Sequence, residues 1–269
     1  MASSDYQHLR VEDRPNGVTW VWLARPDVHN AFNDQLVGEL TKVAKTLSQR
    51  SPEVRVVVLA AEGRSFCAGA DLGWMRAAKN YSEEENKADA LRLGDLFHSW
   101  DTLPQCVVGR IQGAAIGGGT GLVAICDVAI ATGRALFAFS EVNLGIVPAV
   151  ISPFVVRKIG QHHARELFLT GERFPADRAH QVGLVNHVVP DDEALDAKVQ
   201  EVVANVLTSA PQAVGEAKAL LRQLEHLPES QVLPFTTGLI ARLRTGEEGQ
   251  EGMAAFFDKR SPSWKPTDL

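Results

Sequence analysis

The chain has 269 residues, of which 45% are hydrophobic and 22% charged, and a formal net charge of −6. That length buries a sizeable core in one large domain, or in a core with a smaller appendage. The acidic balance lacks the basic face of a nucleic-acid scaffold. The three cysteines, Cys67, Cys106 and Cys126, have no metal spacing and read as reduced thiols filling small apolar sites in a cytoplasmic protein.

In chain order, residues 1–6 show no basic segment leading into an apolar one, so no leader is expected. Residues 18–23 alternate as a strand. Asn33 or Asp34 then caps a helix to about residue 49, with Leu36, Val37, Leu40, Val43, Ala44 and Leu47 at helical spacing. Residues 54–60 form an apolar run that predicts a buried strand. Ser82 and Glu85 form a capping box for a helix whose apolar stripe is Leu93, Leu96, Phe97 and Trp100. The acidic triplet 83–85 suits a first helical turn better than a metal site. Residues 106–111 predict a second buried strand, followed past Gly121 by a helix and a short strand through residue 130.

From about residue 190 onward only helices are expected, over 194–208, 211–224 and 232–244. The apolar stretch 114–131 is interrupted by glycines and Asp127 and has no flanking belt. It therefore reads as a buried helix and strand, not a membrane span. The pattern is α/β, with a sheet-based core over 1–190 and a helical C-terminal region over 191–269.

Both predicted buried strands run straight into small-residue segments. After the first come Arg64, Ser65, Phe66, Cys67, Ala68, Gly69, Ala70, Asp71 and Leu72. After the second come residues 112–121, with Gly117, Gly118, Gly119 and Gly121. Small side chains leave backbone N–H groups open, so two such loops face to face form a two-donor oxyanion hole, or else are plain strand-to-helix turns. A dinucleotide fingerprint is excluded because the glycines run G-x-G-x-G and no ribose-binding acid follows a strand at the right distance. A phosphate loop is excluded because no Gly-Lys-Ser/Thr follows. The histidines offer no metal spacing, and His162 and His163 read as solvated or capping residues.

These segments resemble the enoyl-CoA hydratase/isomerase (crotonase) family. The resemblance lies in Ser65 to Leu72, the glycine triplet 117–119 and the Cys126-Asp127 pair. It extends to an early RP-x-x-x-NA turn at 25–31, the segment from Gly171 to Asn186, and an EG-x-x-AF-x-x-KR ending at 251–260. It implies a spiral of ββα units with an α-helical trimerisation region, assembled as a homotrimer or a dimer of trimers. It implies an acyl-CoA thioester substrate, with no metal and no cofactor beyond the coenzyme A moiety. By motif position, the oxyanion donors are the amides of Ala68 and Gly118, and Glu141 is the acid/base carboxylate, its pKa raised by burial beside the thioester. Val28, His29, Ala70, Asp71, Leu72, Gly117, Gly121, Phe256 and Lys259 are expected to border the substrate or coenzyme A, Lys259 as a point charge on a phosphate.

One departure stands out. Hydratases of the family carry a second glutamate three residues after the middle glycine, where this chain has Gly121. A second difference is Ala149 to Val156, which replaces the usual glycine run and resembles bacterial methylglutaconyl-CoA hydratases. The expected activity is hydration of a 2-enoyl-CoA, with 3-methylglutaconyl-CoA or a related branched glutaconyl-CoA as substrate and its distal carboxylate covering for the missing glutamate. Such a tail needs a cation; Arg157 and Lys158 are weighed and left on a solvated face. The alternative is a Δ3,Δ2-enoyl-CoA isomerase, which needs one glutamate. An RNA-binding role and a silent CoA-binding homologue are the outsiders, disfavoured by the acidic charge and by Glu141 respectively.

Overall fold

The computed structural model of the protein describes residues 6–267, so the stretch read for a leader lies almost wholly outside the described residues. A six-stranded sheet runs β1(Leu9–Arg14), β2(Val18–Leu23), β3(Val56–Ala61), β4(Cys106–Ile111), β6(Val128–Thr132) and β9(His187–Val189) in spatial order. Only the β1–β2 pair is antiparallel. The parallel strands are covered on both faces, which explains why 54–60 and 106–111 read as continuous apolar runs. Val57, Leu59 and Val107 face one core, with α1(Asp34–Gln49), α3(Glu83–Asp101) and α5(Ser152–Thr170). Val56, Val58 and Val108 face the other, against Leu195, Val199 and Leu207 of α7(Asp192–Leu207).

Helix α7, the first helix of the 191–269 helical C-terminal region, is thus the second layer of the sheet. The helices that stand apart begin later, at α8(Pro211–Leu224), followed by α9(Glu229–Thr245) and α10(Glu247–Phe257). Neither α8 nor α9 has a buried residue, and α10 has only Ala255. Helix α8 is attached through Lys218 Nζ, which donates to Asp127 Oδ2 at 2.7 Å, Arg222, which donates to the Asp101 carbonyl at 2.9 Å, and Val214, which packs against the second core. Arg55 donates to the Leu207, Ser209 and Trp264 carbonyls that flank these helices in the chain.

The caps read from sequence are present. Asn33 accepts from the Leu36 amide, and Ser82 and Glu85 form the reciprocal capping box, each stopping backbone donors from being left unpaired. A small second sheet sets the site: β5(Ala115–Ile116) pairs with β7(Leu136–Ala138), which pairs with β8(Arg173–Pro175). Short helices α2(Leu72–Ala78), α4(Gly118–Ala124) and α6(Ala176–Gln181) complete the chain, and no described helix is long and apolar enough to cross a membrane.

Candidate active site

The two small-residue loops do lie side by side, held by backbone hydrogen bonds. The Phe66 and Cys67 amides donate to the Ala114 carbonyl at 2.9 and 3.0 Å, and the Ile116 amide donates back to Cys67 at 2.9 Å. On the other flank Phe32 N–H donates to Gly69 at 2.7 Å and Asp71 N–H to Phe32 at 2.8 Å. Gly117 N–H reaches the Ala138 carbonyl at 2.8 Å, tying the glycine triplet to the turn that carries Glu141.

This lattice decides which amides are open. Ala68 N–H is occupied, donating to the His29 carbonyl at 3.0 Å, which corrects the expectation that Ala68 supplies an oxyanion donor. The amides of Ala70 and Gly118 have no acceptor among the described residues, and both line one cavity of about 340 Å³. Ala70, expected only to border the substrate, thus offers the open amide that was expected at Ala68.

Glu141 lines the same cavity, in a 3₁₀ turn over Ser140–Leu144 just after β7. Its Oε2 is buried and has no hydrogen-bond partner, and burial raises its pKa above the ordinary carboxylate range. Gly117 makes room for it. At φ +54° a side chain is strained there, and a Cβ would stand 3.1 Å from Glu141 Oε1. The rest of the wall is largely apolar, from Phe32, Trp74, Leu93, Ile116 and the strip 146–151. Asp89 is its other carboxylate, and no Lys, Arg or His lines it.

Gly121, expected to border the substrate, is buried and does not line the cavity. A Cβ there would sit 2.5 Å from Ile151 Cγ2 and 3.0 Å from two Phe97 ring carbons. The space of a second glutamate is therefore filled by Ile151, from the very segment that departs from the glycine run. Arg157 pairs with Asp101, and Lys158 is held by the Cys126 carbonyl, so neither reaches the cavity.

The remaining predicted contacts also lie off the cavity. Asp71 caps α2, accepting from Gly73 N–H at 2.7 Å, and pairs with Arg25 at 3.2 Å. The His29 ring is within 3.2 Å of Ser65 Oγ and of Arg64 Nη2. Val28, Leu72 and Phe256 are exposed, and Lys259 follows α10 with a left-handed backbone. The three cysteines are buried and unpaired, and burial pushes each thiol up to about 12, as expected of fillers. Among the described residues no cluster of His, Cys, Asp and Glu is placed to hold a metal.

Sequence reading missed Asp89, Phe32 and the strip 146–148 as cavity residues. For Asp89 a signal existed: it lies four residues before Leu93 on the apolar stripe of α3, where a carboxylate is out of place.

A mainly parallel α/β sheet whose loops bring two open amides and a glutamate with a buried, unpartnered Oε2 to one cavity defines an acyl-transfer or enolate-forming enzyme class. The family model described as Enoyl-CoA hydratase/isomerase matches residues 13–267. The chain is 32% identical to the 2,3-dehydroadipyl-CoA hydratase of Escherichia coli, over 95% of this chain and 98% of that one. Among solved structures it is similar to an enoyl-CoA hydratase from Shewanella pealeana, at 40% identity and a TM-score of 0.93, covering 97% of each chain. It is also similar to Pseudomonas aeruginosa AtuE, at 36% identity and a TM-score of 0.93, covering 97% of this chain and 100% of that one. The chain belongs to the enoyl-CoA hydratase/isomerase family of enzymes.

Proposed function

We propose that the protein adds water across the double bond of a 2-enoyl-CoA thioester, using Glu141 as its single acid/base group. The observation that carries this reading is the meeting of one carboxylate with a buried, unpartnered oxygen and two open amides in one cavity. The thioester oxygen accepts from Ala70 N–H and Gly118 N–H, each such donor contributing about 2.7–4 kcal/mol as the enolate forms. Ionised Glu141 takes a proton from water while the hydroxyl adds to C3. The protonated carboxyl then returns that proton to C2 as the enolate collapses, so one water is consumed. Val28, His29, Leu72, Phe256 and Lys259 are proposed to meet the coenzyme A moiety from outside the cavity. A homotrimer or dimer of trimers in the cytoplasm, with no other cofactor, completes the reading.

Two narrower readings are kept by particular observations. Ile151 and Phe97 fill the second-glutamate position, which favours a Δ3,Δ2-enoyl-CoA isomerase, where one carboxylate moves a proton from C2 to C4. The segment 149–156, and the name of the E. coli relative, favour a carboxyl-tailed substrate such as 3-methylglutaconyl-CoA. Working against the latter is a cavity wall with two carboxylates and no cation. The test is mass spectrometry of products from crotonyl-CoA, 3-hexenoyl-CoA and 3-methylglutaconyl-CoA, with Glu141→Gln as control. Gain of one water, lost in the variant, supports hydration. Conversion of the 3-hexenoyl ester alone, without mass change, replaces it with isomerisation.

A further inference from the structure

Two polar groups on the α2–α3 wall of the cavity have no use in the chemistry above. Trp74 Nε1 is buried, carries a hydrogen and has no acceptor, although Trp74 lines the cavity. Asp89 lines it too. One of its oxygens accepts from Arg92 Nη2 at 2.6 Å, while the other accepts no hydrogen bond. Burial raises the Asp89 pKa; the Arg92 charge, and more weakly the Trp74 N–H, oppose the rise. The indole is therefore close enough to be felt by the carboxylate, yet it makes no hydrogen bond to it. Leaving the buried indole donor unsatisfied on an otherwise apolar wall costs about 1–3 kcal/mol.

We propose that Trp74 and Asp89 together select an acyl chain that carries a neutral hydroxyl toward its far end. A hydroxyl is the small group that satisfies both: its oxygen accepts from Trp74 Nε1–H and its hydrogen is donated to the open Asp89 oxygen. A methyl-ended chain leaves both dry. A carboxylate satisfies the indole but meets Asp89 with like charge, and Arg92, which is already committed to Asp89 and Asp34, does not line the cavity. The assignment deepens the enoyl-CoA reading and rests on it for the acyl-CoA class, though not for the reaction.

The experiment uses binding, so that it does not depend on turnover. Dissociation constants are measured by calorimetry on the full-length protein for saturated acyl-CoA esters of rising chain length, each methyl-ended, hydroxyl-ended and carboxyl-ended. At the length that reaches the pair, the hydroxyl form is expected to bind about tenfold tighter than the methyl form, the scale of a hydrogen bond to a charged acceptor. Trp74→Phe and Asp89→Leu should each bring that ratio close to one. A variant that merely packs badly weakens all three forms alike and leaves the ratio standing, which would count against the assignment. Equal binding of hydroxyl and methyl forms at every length would make the pair a hydration site and overturn it. Tightest binding of the carboxyl form would overturn it in favour of the glutaconyl reading. Absence of binding by any acyl-CoA would sink the enoyl-CoA reading as well. A clear hydroxyl preference with no hydration activity would sink the hydratase reading alone.

Discussion

Glu141 holds its Oε2 buried without a partner. A carboxylate in that state is a better base than one in water, and Glu141→Gln is expected to lower kcat about 10²–10⁴-fold, the usual effect of removing a positioned acid/base group. In the proposed hydration ionised Glu141 takes the proton from water, so activity should fall as the pH drops through its raised pKa. The acid limb of kcat/KM against pH should therefore lie above the ordinary glutamate value. A limb at or below that value would remove Glu141 as the base. The same shift carries a sign for stability. Its folded pKa exceeds its unfolded one, so folding favours the protonated form. That advantage is complete below the unfolded pKa and is lost as the pH rises through the folded one. Glu141→Gln should then melt above wild type at neutral pH, with the gap closing in acid, measured as Tm across a pH series.

At the element scale, the turn into α5 and helix α4 are fitted to each other. Ile151 occupies the space over Gly121, and Phe97 of α3 closes it from the side. Gly121→Ala should destabilise by about 1–3 kcal/mol through overpacking, read from denaturant midpoints. Gly121→Glu should be worse and should gain no hydratase activity, because its carboxylate has nowhere to sit. Gly121→Glu with Ile151→Gly restores the space. If the single substitution proved as stable as wild type, the interlock would be wrong. Much of this level was legible in the sequence: the Asn33 cap, the Ser82–Glu85 box and the start of α8 at Pro211 are local signals, and the structure keeps all three. The open amide was not legible. Which N–H of residues 68–70 is free depends on a carbonyl of His29 some forty residues earlier, and motif position alone selected Ala68 instead of Ala70. Asp71 misled for a similar reason: its position in the motif suggested substrate, whereas its oxygens cap α2 and meet Arg25. Asp71→Ala should cost about 1 kcal/mol of stability as a lost cap.

At the scale of the molecule, two faces of the sheet are closed by helices, but α8, α9 and α10 add no buried residue to either core: Val214 of α8 packs partly buried against the second, and Ala255 of α10 is their one buried residue. They carry Leu221, Leu233, Ile240, Phe256 and Phe257 in solvent, with the two phenylalanines about three-quarters exposed. Single exposed apolar side chains are ordinary, but three successive helices with one buried residue among them are not a self-sufficient layer. The proposed trimer or dimer of trimers would cover this apolar surface with further copies of the chain. Sedimentation or light scattering is expected to give a mass of three or six chains, held by apolar contact and so insensitive to added salt. Leu233→Asp with Phe257→Asp should shift that mass toward the monomer. Because Phe256 and Lys259, proposed above to meet coenzyme A, lie at the same helix end, KM for the acyl-CoA should rise along with dissociation. A wild-type protein that sediments as one chain at micromolar concentration would separate those residues from the coenzyme A site and leave the cavity to bind the thioester on its own.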